Sequence, residues 1–104
     1  MKFLLALITL TSMAQASVCV RNYDSKNSVC KLFPQLYSYV KSQEGKTLCV
    51  REYVEPYCQH YANEYRHVQS TEGKQLCTVQ YDQPQLVNLC AKYPEAYFYV
   101  DEAR

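Results

Sequence analysis

The sequence predicts an α+β fold. Three tandem strand–short helix–strand repeats form an antiparallel six-stranded sheet, closed or nearly closed in pseudo-threefold order and stapled by disulfides. Three features predict it. An opening motif recurs as Cys19-Val20-Arg21-Asn22-Tyr23, Cys49-Val50-Arg51-Glu52-Tyr53 and Cys77-Thr78-Val79-Gln80-Tyr81. Behind each copy follow a second cysteine (Cys30, Cys58, Cys90), an aromatic three residues later (Phe33, Tyr61, Tyr93), then Tyr37, Tyr65 or Tyr97, then Val40, Val68 or Val100. The chain's two glycines, Gly45 and Gly73, stand at the same place in a repeated Glu-Gly-Lys. A period of about 29 residues matched at this many positions marks duplication within one fold.

The first 16 residues read as a secretory signal peptide: Lys2 opens it, Phe3 to Leu10 form an apolar run, and Ala14-Gln15-Ala16 offers a small-x-small cleavage site. The remainder, 17–104, reads as one disulfide-rich domain of three repeats, 19–48, 49–76 and 77–104. Within each repeat the opening run is rich in strand formers. The middle carries helix signals: Asp82 with Pro84 as a cap and first turn before Leu86, Leu89, Cys90 and Tyr93, and Pro56 before Tyr57, Cys58 and Tyr61. Pro34 and Pro94 disfavour α geometry at Phe33 and Tyr93 and stop the helix there. Tyr37-Ser38-Tyr39-Val40 and Tyr97-Phe98-Tyr99-Val100 then read as extended. A helix continued through Val40 is the rival, because Phe33, Leu36, Tyr37 and Val40 share helical spacing.

Glycines used so sparingly point to positive φ, and Glu-Gly between two strand-prone runs predicts a β-hairpin. The hairpins join the second strand of one repeat to the first of the next. Two strands are left over, Val18 to Tyr23 and Ala96 to Asp101. Pairing them would close the ring, remove the exposed sheet edges and bring the ends of the domain together.

Six cysteines in a short secreted chain read as a disulfide framework. Of the fifteen possible pairings three treat the repeats alike, and one of these skips the other way and needs the longest reach. Of the remaining two, one pairs within repeats: Cys19–Cys30, Cys49–Cys58 and Cys77–Cys90. The other pairs each second cysteine with the next repeat's first: Cys30–Cys49, Cys58–Cys77 and Cys90–Cys19. Intervening lengths vary within repeats (10, 8 and 12 residues) and stay constant at 18 between them. Variable length suits a surface loop pinned by its own bond, so the within-repeat scheme is the expectation.

Without Lys2, ten basic residues balance ten acidic ones, so no field exists to gather nucleic acid or anionic lipid. No second apolar run reaches membrane-spanning length. No Ser-His-Asp arrangement, phosphate loop, EF-hand or other cofactor or metal motif appears, and all six cysteines are absorbed as pairs. His60 and His67 occur in the middle repeat alone and read as surface histidines. His60 with Glu64 would form an i, i+4 pair on a helix. Arg21 with Arg51, Lys46 with Lys74 and Glu44 with Glu72 are matched charges, read as turn and edge-strand solubility ahead of a repeated binding surface. Tyrosine is the compositional anomaly, eleven against no tryptophan. Tyr23, Tyr53, Tyr81, Tyr37, Tyr65 and Tyr97 recur in every repeat and are assigned to packing. Tyr39, Tyr57, Phe98 and Tyr99 recur incompletely and are the expected binding surface.

The function expected is a secreted or periplasmic, non-catalytic domain, structural or protein-binding, with no cofactor. The alternative is a secreted inhibitor or toxin-like effector acting through an inter-cysteine loop, Asp24 to Val29 or Asp82 to Leu89.

Overall fold

The computed structural model describes residues 16–23, 28–81 and 89–103. Its elements run β1 (Ser17–Arg21), α1 (Val29–Leu32), β2 (Tyr37–Lys41), β3 (Thr47–Arg51), α2 (Glu55–His60), β4 (Tyr65–Gln69), β5 (Gln75–Val79), α3 (Leu89–Lys92) and β6 (Tyr97–Asp101). The expected strand–helix–strand order holds in each repeat. The signal-peptide residues 1–15 lie outside the described residues, as does the cap assigned to Asp82 and Pro84.

Local chemistry accounts for the elements. Pro56 occupies the first turn of α2, where its missing N–H costs nothing. All three helices stop before the matched aromatic, and the helix does not continue through Val40. Tyr37, Tyr65 and Tyr97 each donate their backbone N–H to the carbonyl of that aromatic, Phe33, Tyr61 or Tyr93, which turns the chain into the next strand. Tyr61 stops its helix without a following proline, so the reversal is set by where the strand must start. The hairpins are as expected: Gly45 and Gly73 sit at φ +88° and +92°. Buried Ser42 and Ser70 organise the two turns, their hydroxyls accepting the N–H groups of Glu44 and Lys46, and of Glu72 and Lys74.

β2 pairs with β3, β4 with β5, and β1 with β6, all antiparallel. The outermost strands therefore meet as expected, with Val18 opposite Val100 and Arg21 opposite Tyr97. The single closed six-stranded sheet does not form. The strands make three separate two-stranded ladders, joined at their corners by isolated bridges and backbone hydrogen bonds at the strand ends. These run cyclically. At one end Tyr23 N–H donates to Cys49 O, Tyr53 to Cys77 and Tyr81 to Cys19; at the other Gln43 donates to Tyr99, Thr71 to Tyr39 and Ala103 to His67, all at 2.7–2.9 Å. Three walls enclosing a core must turn sharply at each corner. A continuous ladder cannot follow such a bend, whereas one bond at a strand end can.

The core lies between the walls. Val18 and Val100, Val40 and Leu48, and Val68 and Leu76 face each other across the three ladders, each pair buried. Val20 and Val50 add to this cluster and half-buried Phe98 packs against it. Each of these aliphatics contributes about 1.5–3 kcal/mol by leaving water. The first strand of each repeat carries three consecutive buried residues rather than alternating ones, because its cysteine faces outward under a helix while its neighbours face the core.

That placement overturns the expected disulfides. Cys19–Cys30, Cys49–Cys58 and Cys77–Cys90 are not formed; the bonds are Cys30–Cys49, Cys58–Cys77 and Cys19–Cys90. Each ties a helix to the ladder beneath it: α1 to β3, α2 to β5, α3 to β1. The structural module is thus helix–strand–turn–strand, out of phase with the sequence repeat. The constant 18-residue spacing is the span of one module between its bonded cysteines. The variable segments are the linkers between modules, where length is under no geometric demand.

Candidate functional site

The end of the domain opposite the glycine turns is built of aromatic rings. Tyr37, Tyr65 and Tyr97 begin their strands there, and Tyr23, Tyr53 and Tyr81 follow the ends of theirs. The six meet in equivalent edge-to-face pairs, Tyr23–Tyr37, Tyr53–Tyr65 and Tyr81–Tyr97, with centroids 5.5, 5.3 and 5.1 Å apart. Tyr23 and Tyr81 also share a hydroxyl–hydroxyl bond of 2.8 Å. Burial, reinforced by that bond, pushes the Tyr81 phenol far above the ordinary tyrosine range. Burial likewise raises Tyr53, with Tyr23 adding to it, and Tyr65, with Tyr57 adding to it.

Around these rings lie the aromatics that end the helices. Phe33, Tyr61 and Tyr93 occupy matched positions and are 51, 52 and 45 % exposed. Tyr61 and Tyr93 lean on Tyr65 and Tyr97 at 6.4 Å. Leu32, Leu36, Val54 and Tyr57 are exposed beside them. Exposed large apolar residues recurring at matched positions in all three repeats differ from apolar residues scattered singly over a surface. Arg21 lies over Tyr23 at 4.9 Å, and Arg51 over Tyr53 at 5.1 Å and Tyr37 at 5.6 Å, so these arginines serve the rings rather than a strand edge.

The residues expected to form a binding surface are not gathered. Tyr57 belongs to the aromatic end, stacked on Tyr65 at 5.1 Å. Phe98 packs against the core beneath the Lys46 ammonium, 5.2 Å from its ring. Tyr39 and Tyr99 lie opposite Cys49 and Cys19 in two different ladders. Tyr39 lines a groove with Pro34, Tyr37, Thr71 and Glu72. Phe33, Tyr61 and Tyr93, matched aromatics that the sequence marks only as the ends of their helices, are the half-exposed rings of this end. A helix end before a proline distinguishes Phe33 and Tyr93 but not Tyr61, and says nothing of what covers the rings.

His60 and Glu64 do not form a helical pair, since α2 ends at His60 and Glu64 lies in the turn beyond. His60 is exposed beside the Tyr61 ring. His67 is different. It stands on β4 opposite Cys77, with Nε2 2.9 Å from the Glu55 carboxylate and a ring nitrogen within 4.8 Å of both Cys58 and Cys77 sulfurs. Lys74 pairs with Glu52 and Arg66 with Glu102, each at 3.3 Å.

No protein-family model matches the chain, and neither a curated protein nor a solved structure is significantly similar to it. Among the described residues no helix is long and apolar enough to cross a membrane.

Proposed function

We propose that the chain is a secreted, non-catalytic domain that binds a protein through its aromatic end. The observation that carries this reading is the set of equivalent, half-exposed Phe33, Tyr61 and Tyr93 surrounding the tyrosine pairs. Tyrosine offers large rigid contact area at low entropic cost, and its hydroxyl tolerates water when no partner is bound. Three disulfides in a chain of this size fit an oxidising compartment. The inhibitor-loop reading stays the second one: its segments join modules rather than being pinned by bonds of their own, and residues 24–27 and 82–88 of those loops lie outside the described residues.

Site-specific photocrosslinking tests the proposal. A photoreactive residue at Tyr61 should capture a defined protein in the native extracytoplasmic fraction. The same probe at Glu44, on the turn end, should not, and Phe33→Ser with Tyr93→Ser should abolish capture. Equal capture from both ends, or none from Tyr61, would sink it.

A further inference from the structure

The three disulfides occupy equivalent places, yet their surroundings differ at one position. The residue paired across the ladder from the strand cysteine is Tyr99 for Cys19, Tyr39 for Cys49 and His67 for Cys77. In the middle module alone, among the described residues, a metal-ligating side chain faces the sulfurs. We propose that Cys58–Cys77 is a redox gate over a transition-metal site. When that bond is reduced, Cys58, His67 and Cys77 bind a divalent metal of the zinc class.

The three ligand atoms already lie within 4.8 Å of one another. A tetrahedral zinc ion with sulfurs at about 2.3 Å and nitrogen at about 2.0 Å holds its ligands at separations of that order, so little backbone movement is required. The ligands come from α2, β4 and β5 of one module. The bonds Cys30–Cys49 and Cys19–Cys90 lie elsewhere and keep the fold closed while this one opens. Glu55 Oε1 sits 2.9 Å from His67 Nε2, the carboxylate–histidine pairing that orients metal ligands generally. The His67 side chain is 30 % exposed, which gives an ion a way in. Two cysteines and one histidine leave a fourth position for water or an external ligand.

The chemistry balances with a named reductant. A phosphine plus water takes the disulfide to two thiols and becomes the phosphine oxide. A dithiol reductant would do the same and become its own cyclic disulfide. Metal binding then displaces the two thiol protons, because the thiolates are the ligands. By linkage, a metal that binds only the reduced form draws the bond open. The tyrosines beside the other two bonds supply no such pull, so metal should select one disulfide of three.

Anaerobic treatment with one equivalent of phosphine and excess Co(II) tests this. The expected result is a 1:1 complex with a near-ultraviolet thiolate-to-cobalt band. After chelation and alkylation, label should fall on Cys58 and Cys77. His67→Tyr installs the residue found at the two equivalent positions, and His67→Gln guards against an ill-fitting ring. Either should weaken cobalt binding at least about tenfold. No band, label on other cysteines, or undiminished affinity in both variants would overturn the proposal.

Discussion

Two of the three modules are continuous in sequence and the third is not. The first, α1–β2–β3, and the second, α2–β4–β5, each close on a hairpin and a disulfide of sequence separation 19. The third is assembled from α3 and β6 at one end of the chain and β1 at the other, with a disulfide of separation 71. Its ladder keeps the same five-residue register, with no turn to impose it. A polar clip stands where the turn would be: the Gln43 amide donates to Ser17 Oγ at 2.8 Å and to Asp101 at 3.0 Å. Beyond it Glu102 N–H reaches Ala16 O at 2.9 Å. The comparison teaches that the turn helps to close a module but is not needed to define it. What the split module lacks in local connection it must recover from its long-range bond.

The largest break in the comparison should come from the disulfides themselves. On the chain-entropy model, removing Cys19–Cys90 by alanine substitution costs about 4.4 kcal/mol, and removing Cys30–Cys49 about 3.3. Denaturant midpoints at matched slopes would show the gap. Equal losses would mean that loop closure is not what separates the modules. Core truncation ranks next. Leu48→Ala and Leu76→Ala should each cost about 3 kcal/mol, and Val18→Ala, the smaller residue at the split module's equivalent position, about 2, read in the same assay.

A circular permutant would sharpen the comparison. Residue 103 is joined to residue 17 through a turn copied from Ser42–Lys46, and the chain is opened between residues 24 and 27. All three modules are then continuous. The cost of losing Cys19–Cys90 should fall by about 1 kcal/mol, to that of the other bonds. A smaller effect separates the two hairpins from the split ladder: Gly45→Ala and Gly73→Ala should each cost about 1 kcal/mol, because both glycines hold positive φ. Amide exchange at Val18 to Val20 should change less than at the substituted hairpin.

The mildest test is alkaline. Tyr81, Tyr53 and Tyr65 have phenols raised above the ordinary value of about 10, chiefly by burial. A raised folded value means the folded state holds its protons longer than the unfolded chain. The associated stability is therefore whole below pH of about 10 and is lost as pH rises beyond it. Melting temperature should fall as pH rises through about 10 and beyond, and Tyr81→Phe should flatten that fall even though it loses the bond to Tyr23. A pH-independent melting temperature over that window would contradict the burial of these rings.

Much of this protein is determined by its sequence alone, where the governing interactions are local. The matched cysteines, tyrosines and valines define three units, the prolines end two helices, and two glycines place two hairpins, because φ preferences and strand propensity act over a few residues. Pairing of Val18 to Arg21 with Tyr97 to Asp101 was also legible, since unpaired strands need partners. Tertiary structure alone decided the phase of the module. The cysteine pairing turns on which face of a five-residue strand points outward beneath a helix, and loop length carries no information on that. It also decided that three ladders form instead of one sheet, because a ring this small must break its hydrogen bonds at the corners. The same holds for the aromatic end: Phe33, Tyr61 and Tyr93 repeat like core residues, and only the folded chain shows that nothing lies above them. His67 beside Cys58 and Cys77 is the clearest case, a contact made by a register that no spacing in the sequence announces.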